Sequence, residues 1–348
     1  MRHARPRPGR IRATGQRGAA LLVALFVMAL AVLIVSDLVW RQFVLRRTVE
    51  NQQVGAQSRL LLSGAEDWAR LILQDQTHPA YDALSDPWAQ PLAPTPLDQL
   101  GDTAPLVAQA TIEGAIVDAQ ARFNLRNLLD SAGNINPVQL AVLEKLAGLL
   151  NAPSGTGKLV ATYLAQCYAG AGLVPGQTAA ANQAAISAAF GPAGGGVPTA
   201  VVPLASSTRP LPPVLPEDLA GIPGIDPAAA LALAPYVVLL DQTNTTVNFN
   251  TASALVMAAS IPDLSLNDAN TLAAERDRAY FVSVGDIQNR LNGRGGNLTL
   301  VGVSTNSSYF MVQGTVHLGR AATQLTALLR RTVGGTQGRV IVLWERAE

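Results

Sequence analysis

A single cysteine, Cys167, stands in 348 residues. That excludes an intrachain disulfide framework and any multi-thiolate metal site. Cys167 flanks the helix-like run 159–168 and is expected to be a small buried apolar residue. Histidine is almost as scarce. His3, His78 and His317 offer no i,i+4 pair and no nucleophile partner, which argues against zinc sites and Ser/Cys–His catalysis. Charged residues make up only 14% against 49% hydrophobic, so the chain is neither disordered nor heavily solvated. A broad basic face is missing as well. The formal net charge is +1, but residues 1–18 hold six arginines (Arg2, Arg5, Arg7, Arg10, Arg12, Arg17) and no acid. Without them 19 basic residues face 24 acidic ones, a balance of −5 over residues 19–348, which disfavours a nucleic-acid binder. The length leaves room for two or three domains and an ample core.

The arginine-rich arm runs directly into AALLVALFVMALAVLIVS, residues 19–36. Extended to Trp40, this run is about 22 residues, enough to cross a ~30 Å hydrocarbon core at ~1.5 Å per residue. The arginines that precede it place the N-terminus in the cytoplasm, and Trp40 and Arg41 stand where an interfacial anchor is expected. A secretory signal would have a shorter apolar region followed by a small-residue cleavage site, whereas here Gly18, Ala19 and Ala20 come first. No proline falls between residues 19 and 77. The spacing of Val54, Leu61, Ala65, Trp68 and Ile72 predicts one apolar helical face, with Arg46, Arg47, Glu50, Gln53, Gln57 and Arg70 as its polar complement. A single helix of about 80 Å over residues 19–73 follows.

Pro79, Pro87, Pro91, Pro94, Pro96 and Pro105 then make residues 78–105 a surface connection. Residues 111–118 alternate like a strand. Residues 307–317, 325–331 and 339–346 read as three antiparallel strands joined by Gly-containing turns. Between them, residues 139–150 form a helix with Leu140, Leu143, Leu146 and Leu150 on one face, and residues 159–168 form another. Residues 169–215, rich in Ala, Gly and Pro, form an excursion. For a helix beginning near Ala252, Asn250 or Thr251 is the expected N-cap.

The leader ending in Arg17-Gly18 against a long apolar helix resembles the type IV prepilin leader. The block Ile116, Asp118, Arg122, Phe123, Asn124, Leu125, Asn127, Leu128 resembles the first strand and turn of the K-type minor pseudopilins of type II secretion systems. The Gly64-Ala-Glu-Asp-Trp-Ala69 helix end, the Thr246-Val-Asn-Phe-Asn-Thr-Ala252 block and the closing Trp344-Glu345-Arg346 resemble the same family. The resemblance implies an α+β fold. A long N-terminal helix packs on a small antiparallel sheet that carries a large inserted helical domain of SAM-like or helix-hairpin-helix-like type, and there is one transmembrane helix. The implied segments are a basic leader (1–18), the transmembrane part of the helix (19–40), its periplasmic amphipathic part (41–75), the first part of a pilin-like head (76–129), the inserted helical domain (130–290, with the excursion 169–215) and the C-terminal strands (291–348).

What the resemblance implies about function is a non-enzymatic subunit of the inner membrane, with a cytoplasmic N-terminus and a periplasmic head, at the tip of the pseudopilus. There it helps initiate the fibre and export folded proteins. A prepilin peptidase is expected to cut between Gly18 and Ala19, and Ala19 to be N-methylated. Position five of the mature chain is Val23, where major subunits carry a glutamate that neutralises a neighbour's amine. A tip subunit has no neighbour above it, and an unpartnered glutamate in lipid is costly. Expected partners are I- and J-type minor pseudopilins, other pseudopilins, the assembly platform, the peptidase and the inner membrane, with no nucleic acid.

The alternatives are a minor pilin of a type IV pilus, or a membrane-anchored DNA-binding protein using a helix-hairpin-helix at 219–260. Against the second, residues 127–275 hold three basic and nine acidic residues, and residues 221–260 hold no Lys or Arg, the groups from which phosphate binding draws its affinity. Asp226 also stands where that hairpin has glycine. Ser154-Gly-Thr-Gly-Lys158 looks like a P-loop but has Leu159 in place of the Mg²⁺-holding hydroxyl, so a helix-start turn is expected. No cofactor is required. The family resemblance implies structural calcium, with candidate donors Asp241, Asn244, Asp263, Asn267, Asp268, Asn292, Asn297 and Asn306. None of these has EF-hand spacing, and the ligands stay unassigned.

Overall fold

The computed structural model describes residues 17–75, 78, 80–100, 110–168, 210–291, 300–332 and 339–348. The leader up to Gln16, the stretch 169–209, Asn292 and Asn297 lie outside the described residues. The chain divides into two units, residues 1–60 and 61–348.

In the first unit the described residues form a bare helix, the start of α1 (Arg17–Gln74). Its apolar side chains, Leu21 to Leu45, are all exposed. Among the described residues it is the one helix long and apolar enough to cross a membrane. Exposure of this kind is stable only if hydrocarbon or other helices cover it.

In the second unit an antiparallel sheet has the order β1-β2-β7-β8-β9, from β1 (Leu92–Pro96), β2 (Ala110–Asp118), β7 (Tyr309–Leu318), β8 (Ala321–Thr332) and β9 (Arg339–Ala347). The strands at 110–118, 309–318, 321–332 and 339–347 fall where the alternating pattern places them. β1 does not. It lies inside the expected proline-rich connection and pairs with β2 alone. Pro94 and Pro96 are tolerated because an edge strand does not need every N–H.

The last turns of α1 pack on one face of this sheet. Leu62, Glu66, Ala69 and Leu73 are the buried positions, spaced 4, 3 and 4 as one helical face. The expected face was Leu61, Ala65, Trp68 and Ile72; the observed one is rotated by one residue, and Trp68 is 50% exposed. The sheet explains the choice. Gly114 and Gly314 are directly opposite in the β2–β7 pair, and a Cβ on Gly314 would lie 3.4 Å from Leu62 Cδ2. The glycine leaves the hollow that Leu62 fills. Ala69, Leu73, Trp88, Phe310, Val312, Ala327, Leu329 and Val340 close this core.

Between β2 and β7 the chain builds the helical insertion: α2 (Pro137–Leu149), α3 (Thr156–Tyr168), α4 (Pro227–Leu233), α5 (Ala254–Ser260), α6 (Leu266–Arg278) and α7 (Val284–Leu291). Asn136 caps α2, accepting from the Val138 and Gln139 amides, with Pro137 at N1. Leu143, Leu146, Val160, Leu164, Leu219, Ile222 and Leu233 share one apolar core, and Phe249, Met257, Leu272, Phe281 and Ile287 share a second. Cys167 is buried, and burial pushes its thiol above the usual range.

The P-loop lookalike is a turn ahead of α3, with Gly155 at φ +84° and Thr156 Oγ1 donating to the Pro153 carbonyl at 2.7 Å. In the hairpin, Gly224 takes φ +85° and Asp226 caps α4 through the Ala228 amide at 3.2 Å. The expected cap near residue 252 is corrected. Helix α5 starts at Ala254, and its N-cap is Ser253, which accepts from the Val256 amide at 3.4 Å. Asn250 and Thr251 are turned inward to other partners.

Candidate functional site

The residues of the two sequence blocks meet in one buried junction between the sheet and the insertion. Two short parallel ladders bring them there. One joins β3 (Phe123–Asn124) to β4 (Val237–Val238), and the other joins β5 (Val247–Asn248) to β6 (Val303–Ser304).

Asp118, at the end of β2, is 2% exposed. It accepts from the Gln120 amide at 2.7 Å, Ser307 Oγ at 2.6 Å, Thr251 Oγ1 at 2.5 Å and Asn248 Nδ2 at 2.9 Å. Burial outweighs these four donors and pushes its carboxyl up to about 6. Asp82 and Arg331 form a buried ion pair beside it, at 2.6 Å, with side chains 2% and 3% exposed. Asp82 also accepts from the Ser307 amide at 2.8 Å. Arg331 donates to the Ser307 carbonyl at 2.8 Å and lies 4.8 Å over the Phe310 ring.

Asn124 and Asn127 hold the loop before β5. Asn124 Nδ2 donates to the Gln242 carbonyl at 2.8 Å and to Thr245 Oγ1 at 2.9 Å, while its Oδ1 accepts from the Leu240 amide at 3.1 Å. Asn127 exchanges bonds with the Thr245 main chain at 2.7 and 3.0 Å, and Asn244 in that loop takes φ +60°. Asn250 Nδ2 donates to the Phe281 carbonyl and its Oδ1 accepts from the Phe281 amide, both at 2.8 Å. Arg122, the remaining polar member of the first block, is held below the usual guanidinium range by burial, partly offset by Glu217 and Asp118.

These asparagines, aspartates and hydroxyls fasten loops to one another. Ser307 lies 2.6 Å from a carboxylate, the spacing of a nucleophile–base pair, yet it is 3% exposed and no substrate can reach it. Asp82, Ser307 and Arg331 were not singled out from the sequence. Arg331 had the signal of a charged residue near the end of an apolar strand, whereas Asp82 and Ser307 stand in connections that carry no pattern.

The calcium candidates are dispersed and engaged. Asp241 accepts from Tyr309 Oη at 2.5 Å and pairs with Arg330 at 2.7 Å. Asp268 accepts from Ser265 Oγ at 2.6 Å in the cap of α6. Asn306 offers its carbonyl to Ser304 Oγ at 2.8 Å. Among the described residues no three His, Cys, Asp or Glu come together as metal ligands.

The second functional surface is α1 itself. Ala19 and Val23 lie near its start, exposed, with no acid in the first turn. Further along, Trp40 stacks on Phe43 at 6.2 Å and Arg47 lies 5.3 Å over the Phe43 ring. Arg41 pairs with Asp37 at 2.8 Å, so arginine flanks the apolar run on its far side as well. Opposite the sheet-facing residues, Gly64, Trp68 and Leu71 leave a second apolar stripe exposed, Leu71 at 63%.

A family model for protein K of the type II secretion system matches residues 247–306, the span from β5 through β6 that supplies Asn248, Asn250, Thr251, Ser304 and Thr305 to the junction. Type II secretion system protein K of Pseudomonas aeruginosa is 25% identical over 337 residues, 94% of this chain and 92% of that protein. The chain is thus similar to protein K of type II secretion systems along almost its whole length. The same fold occurs in the crystal structure of the GspK-GspI-GspJ complex from enterotoxigenic Escherichia coli. That match has TM-score 0.59 and 19% identity, and covers 86% of this chain and 99% of that one. With its apolar N-terminal helix, the chain is a single-pass membrane-anchored protein.

The DNA-binding alternative is not favoured. Besides the lack of basic residues in the hairpin, Lys145 of α2 gives its ammonium to the carbonyls of Ile261, Pro262 and Leu264 at 2.7–2.9 Å.

Proposed function

We propose that this chain is a minor pseudopilin at the tip of the type II secretion pseudopilus. There it joins I- and J-type partners, helps start the fibre and supports export of folded proteins across the outer membrane. The observation that carries the reading is similarity to protein K along almost the whole chain, 94% of its length. Assembly would run through α1. Trp68 and Leu71 leave an apolar stripe uncovered, and a neighbour's helix laid along it would bury that area by close packing.

The leader fits the same scheme. A prepilin peptidase would cut between Gly18 and Ala19 and the new Ala19 amine would be methylated, with the N-terminus on the cytoplasmic side and the head in the periplasm. Val23 in place of glutamate suits a subunit with nothing stacked above it, and the bulk of the insertion suits a cap. The role is structural rather than catalytic. Any calcium taken up would act as a structural ion, seen as a calcium-dependent rise in melting temperature; no shift with added calcium would remove it from the scheme.

Co-expression with the I- and J-type pseudopilins of the same secretion system tests the reading. We expect a stable ternary complex on size exclusion, lost when Trp68 and Leu71 are both changed to Asp. Failure of the wild-type chain to join those partners would count against the tip role.

A further inference from the structure

Arg41, Arg46 and Arg47 follow the apolar run of α1. The arginine-rich leader stands before that run, and the flank beyond a span ordinarily carries few basic residues, so each of the three needs an account. Two are neutralised one turn away on the same helix. Arg41 pairs with Asp37 at 2.8 Å, and Arg46 pairs with Glu50 at 2.9 Å. Arg47 has no carboxylate partner among the described residues, and its guanidinium lies 5.3 Å over the Phe43 ring.

Trp40, Phe43 and Arg47 are spaced i, i+3, i+7 and share one helical face. Trp40 stacks on Phe43 with ring centroids 6.2 Å apart, and all three side chains are exposed. Helical side chains lean toward the N-terminus, so the Arg47 guanidinium turns back toward the membrane, to the level of Phe43. That level is about 36 Å along the helix from Ala19. The hydrocarbon core takes about 30 Å of this, and the headgroup layer extends about 5–7 Å beyond it. The unneutralised charge therefore stands among lipid phosphates. Arg59, the next basic residue, is about 18 Å further along the helix and outside that layer.

We propose that Trp40, Phe43 and Arg47 bind the headgroup of an anionic phospholipid where the span ends. Stacking on Phe43 covers one face of the guanidinium and leaves its N–H fork free, the edge that takes phosphate oxygens in a bidentate bond. Trp40 adds an indole N–H and an amphipathic ring suited to this depth. A zwitterionic headgroup brings its own cation beside the phosphate, whereas an anionic one leaves the phosphate charge for Arg47. Because Arg41 and Arg46 are cancelled by their own helix, the attraction is a site and not a broad basic belt. The bound lipid fixes the depth and rotation of α1. The site rests on α1 crossing a bilayer and does not depend on the tip role.

Native mass spectrometry of the full chain, released from nanodiscs of equal parts phosphatidylglycerol and phosphatidylcholine, tests this by reading the lipid retained. The wild type should retain phosphatidylglycerol over phosphatidylcholine about fivefold, the share of one basic residue at the membrane surface. Arg47→Gln should bring that ratio close to one. Asp37→Asn combined with Arg41→Gln leaves the net charge unchanged and should keep the preference. Equal retention of the two lipids by the wild type, or the same preference in wild type and Arg47→Gln, would overturn the proposal. Loss of the preference in the paired change, with Arg47 intact, would overturn it as well.

Discussion

Asp82 and Arg331 are almost completely out of water. Two buried charges gain little net stability from each other, but removing one leaves the other uncompensated, a loss of about 3–5 kcal/mol. Asp82→Ala should therefore lower the unfolding free energy of the full chain by that amount in urea titration. A loss under 1 kcal/mol would mean that Arg331 finds water or another partner. Asp118 makes a different prediction. Two N–H groups and two hydroxyls donate to it, so the new NH2 of Asp118→Asn keeps a partner only where a hydroxyl turns round to accept, at a cost of about 1–3 kcal/mol.

The pH dependence follows from the same residue. Its folded-state pKa, about 6, lies above the ordinary 3.8, so the folded chain binds the proton more tightly. That contribution is full below pH 3.8, declines as pH rises and is gone above about 6. Urea midpoints measured from pH 4 to 7 should fall over this window in the wild type, and fall less in Asp118→Asn.

Among the elements, α1 shows what could be read in advance and what could not. Its extent was legible because 59 residues without proline or a strong breaker admit little else. Its packing face was not, because two apolar stripes run along its last turns. The choice between them rests on Gly314, about 250 residues away in sequence and next to Leu62 only in the folded chain. Gly314→Val should overfill that hollow and cost about 1–3 kcal/mol, whereas Trp68→Ala on the exposed stripe should leave unfolding unchanged within about 0.5 kcal/mol. Thermal melts of the two variants compare them directly, and equal losses would contradict the observed register.

The long strands were legible from alternation. β1 was not, since prolines that forbid a central strand are permitted at an edge. The junction was half legible. Asn124, Asn127, Asn248 and Asn250 stood out as blocks, but the bond from Asn248 to the Asp82 carbonyl spans 166 residues of chain and the Asp82–Arg331 pair spans 249. Asn250 or Thr251 is the cap that the sequence suggests, whereas both side chains turn to buried partners and Ser253 takes the cap.

At the scale of the whole molecule, each structural feature has a place in a membrane-anchored assembly subunit. A bare apolar helix needs lipid or neighbouring helices, and its exposed Trp68–Leu71 stripe offers one contact to a partner. The junction clamps the insertion to the sheet through buried, hydrogen-bonded polar groups. Likeness to protein K runs along nearly the whole chain, and the proposed tip role adds processing between Gly18 and Ala19 to it. That processing is also what separates a pseudopilin from an ordinary anchored protein.

The most direct test is the intact mass and N-terminal sequence of the protein extracted from membranes, with and without a prepilin peptidase. The account predicts a mature chain beginning at a methylated Ala19, present only with the peptidase. A chain beginning at Met1 in both cases would contradict it.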